Sequence, residues 1–163
     1  MADSLTVTLS PARSAGCIVR LTRGAAGQVL ARVHIEHNVF RAEVCDINGD
    51  GRPDVCLGVI KPTRYDSAPR RRVQFYTYDG RRLRPLWLGS RLGMPLEDFR
   101  IVRHAGIDRV LTLERERRRG TYAVGLWEWR SFGLSFVEYM CRGATARAAR
   151  QLHGFSPPAG TAS

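Results

Sequence analysis

Lysine is almost missing from this sequence. Lys61 stands alone among 26 basic residues, so 25 are arginine. A skew this strong follows genomic base composition as readily as function, so the formal charge of +11 does not by itself name a polyanionic partner. No apolar run approaches the roughly 20 residues that a membrane-spanning helix needs. The first ten residues carry neither a basic flank nor an apolar segment, so no secretory signal is legible. Ser14-Ala15-Gly16-Cys17 is a poor match to a lipoprotein cleavage site for the same reason. The chain is therefore expected to be cytoplasmic, or extracytoplasmic if an export signal is missing from it.

Cysteine is sparse and unpatterned. Cys17, Cys45, Cys56 and Cys141 form no CxxC pair, which argues against a zinc site. The thiols read as buried and free. A bond between Cys45 and Cys56, which flank an acidic stretch, requires an oxidising compartment that the sequence does not establish. His34 and His37 are three apart in a strand-like run and point to opposite faces, so they read as surface residues. No serine, cysteine or histidine has a recognisable nucleophile context, and no nucleic-acid-binding motif is present.

Strong helix signatures are also lacking; Thr145 to Leu152 is the best candidate. What fills the chain instead is a period of two. Val29, Ala31, Val33 and Ile35 alternate with Leu30, Arg32, His34 and Glu36. Gly24 to Gly27 reads as the turn that makes 17–36 a hairpin. Residues 1–14 read as a short edge strand or a loose terminus. Further strands are expected at 40–46, 55–60, 73–78, 83–88, 98–103, 109–116, 122–129 and 134–140. Asp79-Gly80 is a hairpin signal. Lys61 to Arg71, with two prolines, reads as a long surface loop.

The predicted fold class is all-β, built of antiparallel four-stranded blade-like units at 40–88 and 98–140, with 17–36 as a partial third. Three units cannot close a propeller, which needs at least about four blades. The expectation is an incomplete or atypical β-propeller, with a β-sandwich or barrel as the alternative, or copies that self-associate. Residues 1–142 are assigned to one β domain, and 143–163 to a short helix or flexible tail.

One stretch carries chemistry: Asp46-Ile47-Asn48-Gly49-Asp50-Gly51-Arg52-Pro53-Asp54, followed by the apolar run Val55 to Ile60. Oxygen-bearing side chains stand at every second position, with glycines where the backbone must reverse. Calcium takes about six to eight oxygens in irregular geometry. Asp46, Asn48, Asp50, the Arg52 backbone carbonyl and Asp54 are the candidate ligands for Ca2+. An EF-hand loop needs a glutamate at relative position 12, and Leu57 stands there, so that reading fails. The stretch resembles the FG-GAP (VCBS-like) repeat of integrin-type β-propellers. Asp46, Asn48, Asp50 and Asp54 match its acidic loop, and Val55 to Gly58 match its exit strand. A single copy is present, and the resemblance implies a bound calcium and a blade-like hairpin. Pro85 to Phe99 is also similar to a stretch in small bacterial proteins with such a loop, which implies no activity.

The function expected from this is a non-enzymatic calcium-binding domain, its ion structural, serving as a protein- or glycan-interaction module. Tyr76, Tyr78, Trp87, Trp127 and Trp129 are candidate stacking surfaces, though much of this set must form core. Two alternatives remain. One is an arginine-rich binder of nucleic acid or another anionic surface, using Arg70-Arg71-Arg72, Arg81-Arg82-Arg84 and Arg115-Arg117-Arg118-Arg119. The other is a hydrolase using Glu97-Asp98 or Glu114 and Glu116 as paired carboxylates. Glu114 and Glu116 share a strand face and read as a solvated edge.

Overall fold

A computed structural model describes residues 3–89 and 92–154. Among the described residues, eleven strands and one helix follow one another: β1 (Leu5–Pro11), β2 (Cys17–Arg23), β3 (Gln28–Ile35), β4 (Asn38–Cys45), β5 (Asp54–Thr63), β6 (Asp66–Tyr78), β7 (Leu83–Trp87), β8 (Leu96–His104), β9 (Ile107–Arg115), β10 (Tyr122–Arg130), β11 (Gly133–Ala144) and α1 (Ala146–His153). They form three antiparallel meanders, β1-β2-β3, β4-β5-β6-β7 and β8-β9-β10-β11. The protein is all-β, and the two expected four-stranded groups form as read. The first unit has three strands because β1 joins the 17–36 hairpin. Among the described residues no sheet closes on itself, so the barrel alternative is set aside.

The period-two pattern explains how the sheets stack. On β5, Val55, Leu57 and Val59 pack into a cluster with Val19, Leu21, Ala31 and Ile35 of the first sheet. Cys56, on the opposite face, joins Phe75, Phe99, Val110 and Trp127 between the second and third sheets. The second sheet is thus covered on both faces, and the stretch Asp54–Val59 is buried throughout. Gly58 is required by this packing. A Cβ there would lie 2.4 Å from Phe40 and 2.7 Å from Phe99, whose rings meet edge to face at 6.1 Å.

The outer face of the third sheet is covered by α1. Leu111, Leu113, Val124 and Leu126 pack with Ala149. Thr145 caps the helix by accepting from the Ala148 amide, and Gly154 ends it in the left-handed conformation. The helix is therefore docked; residues 155–163 of the expected tail lie outside the described residues. No described helix is long and apolar enough to cross a membrane.

His153 anchors that helix. Its Nε2–H donates to the Leu111 carbonyl at 2.9 Å, while Nδ1 is buried without a partner among the described residues. Burial pushes its pKa below the ordinary 6.5, an effect only partly opposed by the Leu111 bond and Asp98. The native state therefore binds this proton less readily than the unfolded chain does. The resulting stability is present above pH 6.5 and is lost as pH falls below it. Amide exchange in α1 is expected to quicken as pH is lowered from 7.5 to about 5.5, after correction for intrinsic rates. His153→Phe should flatten that dependence. A slope unchanged in the variant would remove His153 from the explanation.

The second and third sheets are also joined by polar contacts between their first strands. Arg41 on β4 donates from Nε and Nη2 to Asp98 on β8 at 2.8 and 2.9 Å. Two residues along, the Ile101 amide donates to the Glu43 carboxylate at 2.5 Å.

The expected long loop at 61–71 is corrected. β5 and β6 continue as one ribbon, pairing Ile60 with Arg71, Lys61 with Arg70 and Thr63 with Asp66. Pro62 and Pro69 fall where the register shifts, so neither missing N–H breaks the ladder. The Asp66 amide donates to the Thr63 hydroxyl, and the Asp66 carboxylate accepts from the Ala68 amide.

Candidate metal centre

The acidic loop connects β4 to β5. Gly49 and Gly51 hold φ of 70° and 78°, in open surroundings, so conformation rather than space calls for glycine there. The Asp46 carboxylate accepts from the Asp50 amide at 3.1 Å and the Gly51 amide at 2.9 Å. Asp50 accepts from the Arg52 amide at 2.9 Å and from the Asn48 side-chain amide at 3.2 Å. These bonds draw Asp46, Asn48 and Asp50 together at the loop's exposed end. The Arg52 side chain is exposed. The Pro53 carbonyl ties the loop to β6 by accepting from the Tyr78 amide at 3.0 Å.

Asp54 is placed differently. It is fully buried at the start of β5, and its Oδ2 accepts from the Ile47 amide at 2.9 Å. Its Oδ1 is buried and makes no well-formed hydrogen bond among the described residues, although the Thr77 hydroxyl lies near the carboxylate. Burial pushes its pKa up to about 6; the Thr77 hydroxyl and Ile47 amide pull it down, and the nearby Asp50 and Asp46 charges push it further up. Three carboxylates thus feel one another with no cationic side chain bonded to any of them among the described residues. Among those residues, no three Asp, Glu, His or Cys side chains are gathered into a ready-made metal shell. The donors present are oxygens only: carboxylates, the Asn48 amide and main-chain carbonyls. This chemistry suits a hard cation.

A fourth carboxylate was not legible in the sequence. Asp108, in β9 of the third sheet, accepts from the Asp46 amide at 2.8 Å and from Arg103 at 3.2 Å. It lies 62 residues from Asp46. Only the stacking of the second and third sheets brings the two together.

Cys45 and Cys56 are free and buried beside the loop. Burial, with the surrounding carboxylates, pushes both thiols far up, so they stay protonated. Cys17 and Cys141 are also free. His34 is exposed and contacts the Ala15 carbonyl at 2.9 Å.

The carboxylates considered for hydrolysis are engaged with different partners. Asp98 is held by Arg41, and Glu97 is paired with Arg115. Glu114 corrects the solvated-edge expectation. It is fully buried, accepting from the Thr112 hydroxyl at 2.6 Å, the Trp127 indole at 3.3 Å and the Tyr139 hydroxyl at 3.5 Å. Gly125 leaves room for this network, since a Cβ there would meet Thr112 and Glu114 at 2.9 and 3.2 Å. Glu116 lies just beyond β9 and pairs with Arg142 at 3.0 Å. Of the aromatic set, Tyr76 and Trp127 are buried, and Tyr78, Trp87 and Trp129 are half-buried. They build core more than an open stacking face.

Comparison with known protein families, curated proteins and solved structures gives no match.

Proposed function

We propose that this is a non-catalytic β-interaction domain whose β4–β5 connection binds Ca2+ as a structural ion. Asp46, Asn48, Asp50 and Asp54 would supply side-chain oxygens, and Arg52 its main-chain carbonyl. The observation that carries the reading is the buried Oδ1 of Asp54, which has no countercharge and no well-formed hydrogen bond among the described residues, at the base of an oxygen-rich loop. A buried carboxylate without a countercharge is costly. Ca2+ would supply positive charge to three mutually repelling carboxylates. The resemblance of the loop to FG-GAP repeats points the same way. The place of the loop, at the end of a hairpin clamped between two other sheets, supports a structural role for the ion. The pairing of Glu97 and Asp98 with different arginines and the burial of Glu114 favour binding over hydrolysis.

Isothermal titration of metal-free protein with calcium should give one saturable site per chain. Asp50→Ala should weaken it at least about tenfold, because one of few charged ligands is lost. Asp50 is exposed, so this variant should retain the β-rich circular dichroism of the parent. Unchanged affinity in Asp50→Ala would reject the ligand assignment.

A further inference from the structure

The strands of the second and third sheets run between two ends, and the acidic loop marks one of them. Arginines collect at the other. There β6 passes the segment leading into β8, and the Arg71 guanidinium donates to the Glu97 carbonyl. Two adjoining hollows open at this seam, of about 530 and 540 Å3. They share Pro95 and Arg115, which sets them side by side as the two parts of one grooved surface. Arg71 and Arg115 line the first hollow, and Arg115, Arg117 and Arg119 line the second. The β5–β6 ribbon runs on past the groove to its tip, where Arg64 lies over the ring of Tyr65. Tyr65 is 86% exposed.

The acidic side chains near the groove do not neutralise all of its arginines. Three acidic side chains stand beside the groove, and each is already paired. Asp66 meets Arg70 at 2.5 Å and Arg72 at 3.7 Å, Glu97 meets Arg115, and Glu116 meets Arg142. Arg64, Arg71, Arg117, Arg118 and Arg119 have no carboxylate partner among the described residues. All five are exposed. Five exposed arginines that hold no carboxylate thus lie along this one strip, while others, Arg23, Arg32 and Arg81 among them, lie elsewhere on the molecule.

We infer that this groove binds single-stranded nucleic acid, with the arginines on its phosphates and Tyr65 against a base. Guanidinium groups fork onto phosphate oxygens and stack on flat rings, which an ammonium does not do. An exposed aromatic beside an electropositive groove is the arrangement that holds unpaired strands without sequence preference. The recess suits a strand better than a flat lipid surface. The site is independent of the acidic loop and of any ion bound there.

Fluorescence anisotropy of a labelled oligothymidylate tests this on the full chain. Binding should be saturable and weaken steeply with salt. Arg117→Ser/Arg118→Ser/Arg119→Ser changes exposed side chains that hold no carboxylate among the described residues. It should reduce affinity about tenfold or more at low salt and lower the salt slope by about 2. Tyr65→Ala should weaken binding about fivefold or more without changing that slope. Arg23→Ser/Arg32→Ser/Arg81→Ser removes the same charge away from the groove and should leave affinity within about twofold. Equal losses in the two triple variants would overturn the proposal, as would no binding by the parent. Saturable binding of heparin or of phosphatidylserine vesicles, with none of the oligonucleotide, would overturn it in favour of a sulfated glycan or a membrane.

Discussion

Phe99→Ala is expected to destabilise the protein by about 4 kcal/mol and to lower its melting temperature by on the order of 10 °C. Phe99 is fully buried and sits where the second and third sheets meet. It packs edge to face on Phe40 and fills the space that Gly58 leaves empty. Truncation removes that contact and opens a cavity between two sheets whose backbones are each fixed by a four-strand ladder. Little collapse can follow, which places the cost toward the upper end for such changes. Leucine at 99 should recover part of the loss. Urea denaturation of parent and variant measures this directly, and a loss below about 1.5 kcal/mol would show that the two sheets are not held together through this residue.

The second large effect belongs to Asp98. Asp98→Ala leaves the Arg41 guanidinium without its fork partner and removes an acceptor from the Phe99 amide. The Asp98 side chain is 7% exposed and that of Arg41 is 32% exposed, so water recovers part of the arginine's loss. A destabilisation of about 3 kcal/mol is expected, at the lower edge of what breaking a buried pair costs. The net value of the pair is a separate quantity. Arg41→Met/Asp98→Leu should be less damaging than Asp98→Ala, because neither charge is then stranded. A double-mutant cycle on Arg41 and Asp98 should give a coupling of about 2 kcal/mol. Coupling under about 0.5 kcal/mol would mean that the sheets are joined by apolar packing alone.

The strand rhythm was legible because turns and alternation agree along most of the chain. Asp79-Gly80, Gly106 and Ser131-Phe132-Gly133 each fall at a real reversal. The β5–β6 tip was misread because prolines at 62 and 69 resemble loop punctuation. The register shift that absorbs them is a property of the paired strands, which no local window contains. Glu114 was misread for a related reason. A charged residue near arginines reads as solvated, yet Thr112, Trp127 and Tyr139 come from three strands to satisfy it. The candidate ligand loop was legible because its donors are consecutive in the chain. Asp108 was not, since it reaches the loop through sheet stacking. The groove was half legible. Arg70 to Arg72 and Arg115 to Arg119 stood out as clusters, but their meeting across one seam depends on the third sheet lying against the second.

The most direct test of the calcium reading is thermal melting of one preparation with its metal content verified before and after chelation. A structural ion held by the 46–54 loop stabilises the native state through its affinity. With free calcium about a hundredfold above the dissociation constant, the gain is about 2.7 kcal/mol. For a chain of this length that corresponds to a rise of roughly 5–10 °C over the chelated protein. Asp50→Ala should lose most of the rise. Coincident melting curves in calcium and in excess chelator, with metal removal confirmed, would contradict the account. The loop would then be a hydrogen-bonded turn that needs no ion.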